Sequence, residues 1–201
     1  MNGKLVKASS VLTLFVLMSS VVASNTPAFA INGHGVSYGP QFGAGPYVTY
    51  SNGLQINSAS FDISKYSTAI KTQTLFVNQP SDITIKIYHH ANPQYVQHGI
   101  LFLNLQGNDP QSYQTNTYIE WDKQSGVSKS DPKGLLKSAT ASAKYSGQFM
   151  YLTFHIIPAK AFGTSHIIVR TWDTNHSNGQ VIVLDAIKAG YTPKGFSSTN
   201  P

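Results

Sequence analysis

The sequence contains no cysteine. Disulfides are excluded, and so is a type 1 copper centre, which needs a thiolate ligand. Charge is also scarce: Asp, Glu, Lys and Arg make up 11% of 201 residues, with 8 of them acidic, so the lysines stand singly. No basic run interleaved with aromatics marks a nucleic-acid surface. Gly-x-Ser-x-Gly, His-Glu-x-x-His, P-loop and Gly-x-Gly-x-x-Gly motifs are all missing, which argues against the familiar catalytic classes. No stretch shows the period of a long amphipathic helix. Beyond the N-terminal leader no apolar run reaches membrane-spanning length, and the polar tail carries no anchor signal.

What is present begins with that leader. Lys4 and Lys7 precede an apolar core, Val11 to Val22, and Ala28-Phe29-Ala30 supplies a small-x-small cleavage site. This predicts a secretory signal peptide over residues 1–30, cut after Ala30. The mature chain is then secreted, extracellular or held in the cell envelope. Losing Lys4 and Lys7 takes the formal charge from +6 to +4. Residues 31–50 read as a Gly- and aromatic-rich arm, 51–191 as a single domain, and 192–201 as a polar flexible tail.

The domain alternates with a period of two. Ile83, Ile85 and Ile87 share one face, as do Leu101, Leu103 and Leu105. In Phe149–Pro158, Met150, Leu152, Phe154 and Ile156 face inward and Phe149, Tyr151, Thr153 and His155 outward. Ile167 and Val169 face inward, with His166, Ile168 and Arg170 outward. Gly134 to Leu136 reads as one helical turn, and Ser146-Gly147 as a tight turn. Short strands separated by Gly and Pro predict an all-β fold, an antiparallel β-sandwich of about 8–10 strands, cupredoxin- or immunoglobulin-like.

The stretch Asp82 to Gln106 reads as a β-hairpin turning at Asn92-Pro93. Pairing Ile87 with Leu101 sets His90 opposite His98, with His89 at the strand end. Opposed Cβ atoms lie about 5 Å apart, within reach of one shared metal ion. His89, His90 and His98 are thus a candidate copper or zinc site. A hairpin over Phe149–Trp172 sets His155 opposite His166 as a second candidate pair. His34 becomes a third after trimming of Ile31, when the terminal amine, two amides and the imidazole can chelate Cu(II). Ordinary filling of a polar face explains the same histidines without metal. Glu120 and Asp122 share a strand face, as glycosidase carboxylates do, although such pairs are usually solvated. Trp121-Asp122 and Trp172-Asp173 both read as a buried indole followed by a turn-capping aspartate. Asn175-His176-Ser177 is an N-glycosylation sequon.

The segments NGLQIN, FDISKYST, PSDITIKIY, QHGILFLNLQG, TYIEWDK, DPKGLLK, AKAFGTSHIIVRTWD and VIVLDAIKAGY resemble secreted β-sandwich proteins of ammonia-oxidising archaea (Thaumarchaeota). The resemblance spans about Asn52 to Tyr191. It implies an exported or envelope location, with copper-rich physiology as background, and brings no assigned functional residues with it. The expected function is an exported, non-catalytic cell-envelope or extracellular module that binds other envelope proteins or itself. Tyr88, Ile100, Phe102, Phe149 and Tyr151 are expected to look away from the core and to offer the contact surface. The alternative is a copper- or zinc-binding cupredoxin-like protein without a type 1 site.

Overall fold

Alternating side chains need apolar cover on one face only, and two such sheets cover each other. The computed structural model describes residues 39–43, 52–103, 105 and 117–192, which carry thirteen strand segments and no α-helix. They run β1 (Gln41–Phe42), β2 (Leu54–Ile56), β3 (Ala59–Phe61), β4 (Ser67–Ala69), β5 (Gln73–Phe76) and β6 (Ser81–Tyr88). After a 3-10 turn, Pro93–Tyr95, come β7 (Val96–Leu103), β8 (Thr117–Asp122), β9 (Gly126–Ser130) and β10 (Leu136–Ser146). The last three are β11 (Phe149–Pro158), β12 (Phe162–Asp173) and β13 (Asn178–Gly190). The predicted leader, His34 and most of the arm and tail lie outside the described residues.

One sheet has six strands in the order β10-β11-β6-β2-β3, with β1 also on β6. The other has seven, β4-β13-β12-β7-β8-β9, with β5 also on β13. Pairing is antiparallel except for β4 and β5, which run parallel to β13. The fold is therefore the β-sandwich expected, with more strand segments because the partners of β6 and β13 each come in two pieces.

Ile83, Ile85 and Ile87 meet Met150, Leu152 and Phe154 in the six-stranded sheet, and all six are fully buried. Leu101, Leu103, Ile119, Ile167, Val169, Val181 and Val183 close the core from the other sheet. Gly99 lies where the sheets approach: a Cβ there would collide with the Leu152 side chain. Burial of this continuous aliphatic layer supplies the stability that no disulfide provides.

The predicted hairpin between Asp82 and Gln106 is not formed. β6 pairs with β11, β2 and β1, whereas β7 pairs with β12 and β8 in the opposite sheet. The isoleucine and leucine stripes meet across the sandwich rather than side by side. The Asn92 side chain accepts the Gln94 N–H at 2.9 Å and caps the 3-10 turn, so Asn92-Pro93 carries the chain between sheets. Phe149–Trp172 is not a hairpin either, because β11 and β12 lie in different sheets. The helical turn expected at Gly134 to Leu136 is replaced by an aspartate turn. The Asp131 carboxylate accepts the N–H groups of Leu135 at 2.9 Å and Leu136 at 2.7 Å, and Leu136 opens β10.

Candidate functional site

Four described histidines stand beside an aspartate, and the partner decides which ring nitrogen is committed. His89 is 2% exposed and lies 3.3 Å, Nε2 to Oδ2, from the equally buried Asp173. Its Nδ1 accepts the Asn92 N–H at 3.2 Å, so the proton sits on Nε2 and is donated to the carboxylate. Asp173 ends β12 and His89 follows β6, so this contact ties the two sheets together. Both ring nitrogens of His89 are thus engaged. His90 is exposed, with its ring stacked on His89 at 5.5 Å.

His98, in β7, points outward from the seven-stranded sheet. Its Nδ1 lies 2.7 Å from Asp122 Oδ2. An ionised carboxylate only accepts, so Nδ1 holds the proton that lies against Asp122. His155 donates from Nδ1 to Asp82 Oδ1 at 2.8 Å, and its Nε2 lies 3.0 Å from Ser142 Oγ. His166 Nδ1 accepts the Asp185 N–H at 2.8 Å.

Neither expected cross-strand pair exists. His90 and His98 are divided between the sheets, and so are His155 and His166. Alternation sets each face correctly, but the partner strand differs. Among the described residues no three His, Asp or Glu side chains gather as a metal-holding group. Asn175 is exposed in the turn between β12 and β13.

The outer face of the seven-stranded sheet is more eventful. Ladder register places Asn178, Trp172, His98 and Asp122 in one rung, and Gln180, Arg170, Ile100, Glu120 and Ser128 in the next. A third rung is apolar, where Phe102, Ile168 and Ile182 form a small outer cluster joined by Leu105. Leu105 thus leaves the core stripe predicted for it, and Ile168, outward as expected, is nonetheless fully buried. The Arg170 guanidinium lies 5.7 Å from the Trp172 ring, and the His98 ring meets that indole edge-on at 6.2 Å. Gln180 donates to Tyr66 Oη at 2.6 Å, and Ser128 donates to Glu120 at 3.4 Å.

Asp122 is fixed by its own turn. Its Oδ1 accepts the N–H groups of Gln124 at 2.8 Å and Ser125 at 2.6 Å. The backbone N–H of Ser125, above all, holds the carboxyl below its ordinary range; partial desolvation opposes this, and the Ser125 side chain, the Gln124 N–H and His98 reinforce it. A polar cleft of about 260 Å³ opens beside this rung, lined by His98, Asp122, Asp173 and His176 among others. The face therefore sets an indole among donors and acceptors of both charges, held in register by the ladder.

The opposite outer face, on the six-stranded sheet, differs. Tyr88, Phe149 and Tyr151 pack on one another at 5.8 and 6.5 Å, and the Lys86 ammonium caps Phe149 at 4.4 Å. As expected, these aromatics, together with Ile100 and Phe102, look away from the main core, but on two different sheets.

Trp172 is not the buried indole expected of it but stands partly exposed on the outer face, and no site role was expected of Gln180 or His176. Extending the inward alternation of Ile167 and Val169 by one step to Thr171 turns Trp172 outward. The likeness of the two Trp-Asp pairs hid this, since Trp121 does enter the core. In comparisons with known proteins, no family model matches the chain and no curated protein matches it significantly.

Proposed function

We propose that this chain is an exported binding module of the cell envelope, and that its ligand is a neutral glycan held on the outer face of the seven-stranded sheet. The observation that carries this reading is the outward Trp172 flanked by Arg170 and His98, with Glu120 and Asp122 alongside. A sugar ring offers an apolar C–H face and hydroxyls that both donate and accept. A flat indole suits the first, and planar charged groups fixed in place suit the second. One guanidinium against two carboxylates makes a poor seat for a polyanion, although the whole chain carries +6. The leader of residues 1–30 supports export, and N-terminal sequencing of the released protein is expected to begin at Ile31. The resemblance to secreted archaeal β-sandwich proteins supports the same location.

Adsorption to washed envelope fragments tests the reading. Wild-type protein is expected to bind, and Trp172→Ala and Arg170→Ala to weaken binding at least about tenfold, as truncation of a central aromatic or Arg anchor does. Tyr151→Ala, on the other sheet, is the control and keeps full binding. Periodate, which cleaves sugar diols, is expected to abolish adsorption, while protease treatment of the fragments leaves it intact. Loss after protease alone would replace the glycan by a protein partner, and equal binding by Trp172→Ala would remove this face altogether.

A copper or zinc reading keeps one supporting observation. The Asp122 carboxylate holds His98 by Nδ1, as carboxylates behind metal-bound imidazoles do, and His176 lines the same cleft. Calorimetric titration of Cu(II) and Zn(II) into wild type and His98→Ala decides it; equal heats in both remove the site.

A further inference from the structure

Ser142, His155 and Asp82 come from β10, β11 and β6, three consecutive strands of the six-stranded sheet. We propose that they form an acyl-transfer site on its outer face, with Ser142 as the nucleophile and carboxylic esters as the substrate class. Asp82 Oδ1 accepts a hydrogen bond from His155 Nδ1–H at 2.8 Å, which leaves His155 Nε2 as an acceptor 3.0 Å from Ser142 Oγ. These atoms stand in the roles of a serine–histidine–aspartate triad, which is recognised by geometry rather than by order in the chain. The ladder enforces the arrangement: His155 is paired directly with Asp82 on one side and Thr140 on the other, and Ser142 occupies the neighbouring rung. Asp82 is anchored in turn, since its N–H donates to Asn57 Oδ1 at 2.9 Å and its carbonyl accepts the Asn57 N–H at 2.8 Å.

A tetrahedral intermediate also needs donors for its oxyanion. β10 is the edge strand of its sheet. Along such an edge alternate backbone N–H groups point away from the ladder, so either Ser142 or its neighbours Ala141 and Ala143 present theirs outward. Lys144 and Thr140 share the face of Ser142 by the period of two.

In the reaction Ser142 Oγ bonds to the ester carbonyl carbon while its proton passes to His155 Nε2. The bond to the alcohol oxygen then breaks, and His155 returns the proton to that alcohol. Water repeats the two steps and frees Ser142 as the acid leaves. The flat, exposed setting suits esters presented on a surface or a flexible chain, rather than substrates that need a deep pocket. This departs from the expectation of a non-catalytic module, and the site lies on the sheet opposite the proposed glycan face.

Fluorophosphonate labelling with mass-spectrometric mapping tests the proposal, alongside hydrolysis of p-nitrophenyl acetate. Label is expected on Ser142. His155→Ala should slow labelling about 100-fold or more, the usual contribution of a positioned general base, and Asp82→Asn should slow it to an intermediate degree. Ser142→Ala should bring hydrolysis down to the rate without protein, while still adsorbing to envelope fragments. These variants sit on an exposed face, and a single cooperative urea-unfolding transition will establish that they fold. An unlabelled Ser142, labelling spread evenly over other serines, or an undiminished rate in His155→Ala would overturn the proposal and leave the glycan reading standing.

Discussion

Asp122 and Asp173 hold the same post in two hairpins and arrive at different ends. In each, Oδ1 accepts two N–H groups of the following turn and Oδ2 meets a histidine. The recurring Trp-Asp was thus legible as a turn cap, but its histidine partners were not, because His98 depends on the β7–β8 register and His89 reaches Asp173 from the opposite sheet. Asp173 is buried with His89, so His89→Ala removes the partner of Oδ2, leaves only the two turn N–H groups on Oδ1, and is expected to cost about 1.5–3 kcal/mol in urea unfolding. His155→Ala removes an exposed pair and should cost under about 1 kcal/mol. Asp122 carries a lowered pKa in the folded chain, so its contribution is complete above the unfolded value of about 3.9 and is lost as pH falls through the folded value. Asp122→Asn should therefore be less stable than wild type near pH 6, with the gap closing under acid. Thermal melts between about pH 2 and 6 check this; a gap that widens under acid would contradict it.

At the scale of elements, alternation identified the inward faces of β6, β7, β11 and most of β12. It did not identify neighbours. A stripe of isoleucine needs an apolar partner, and a stripe beside it or one across the core satisfies that need equally. Asn92-Pro93 fits a hairpin turn or a corner between sheets, and only the tertiary structure separates them. Neither histidine pair that the two hairpins implied is brought together among the described residues, whereas the outward placing of His98, Glu120 and Asp122 survived. The absence of cysteine gives a clean background for a crosslinking test. Thr84 and Thr153 are directly paired, with hydroxyls 2.9 Å apart. Thr84→Cys with Thr153→Cys should form an intramolecular disulfide on mild oxidation, and His90→Cys with His98→Cys should not. Crosslinking of the second pair alone would restore the hairpin. Gly99→Ala should destabilise by about 1–3 kcal/mol, since its methyl group meets Leu152 in a packed core.

For the whole molecule, one apolar layer between two sheets leaves two outer faces of different chemistry. One bears interlocked aromatics and the Ser142–His155–Asp82 chain; the other bears Trp172 among fixed polar groups. The two tryptophans divide accordingly, Trp121 at 8% exposure in the core and Trp172 outside it. Tryptophan emission is therefore a reporter of the ligand face. The decisive measurement is a fluorescence titration of wild type and Trp172→Phe with oligosaccharides released from envelope fragments. Wild-type emission should shift to shorter wavelength and saturate, while Trp172→Phe, left with the core indole, should stay unchanged. An equal shift in both proteins, or no shift in wild type while adsorption to envelope persists, would contradict a glycan seated on the outer face of the seven-stranded sheet.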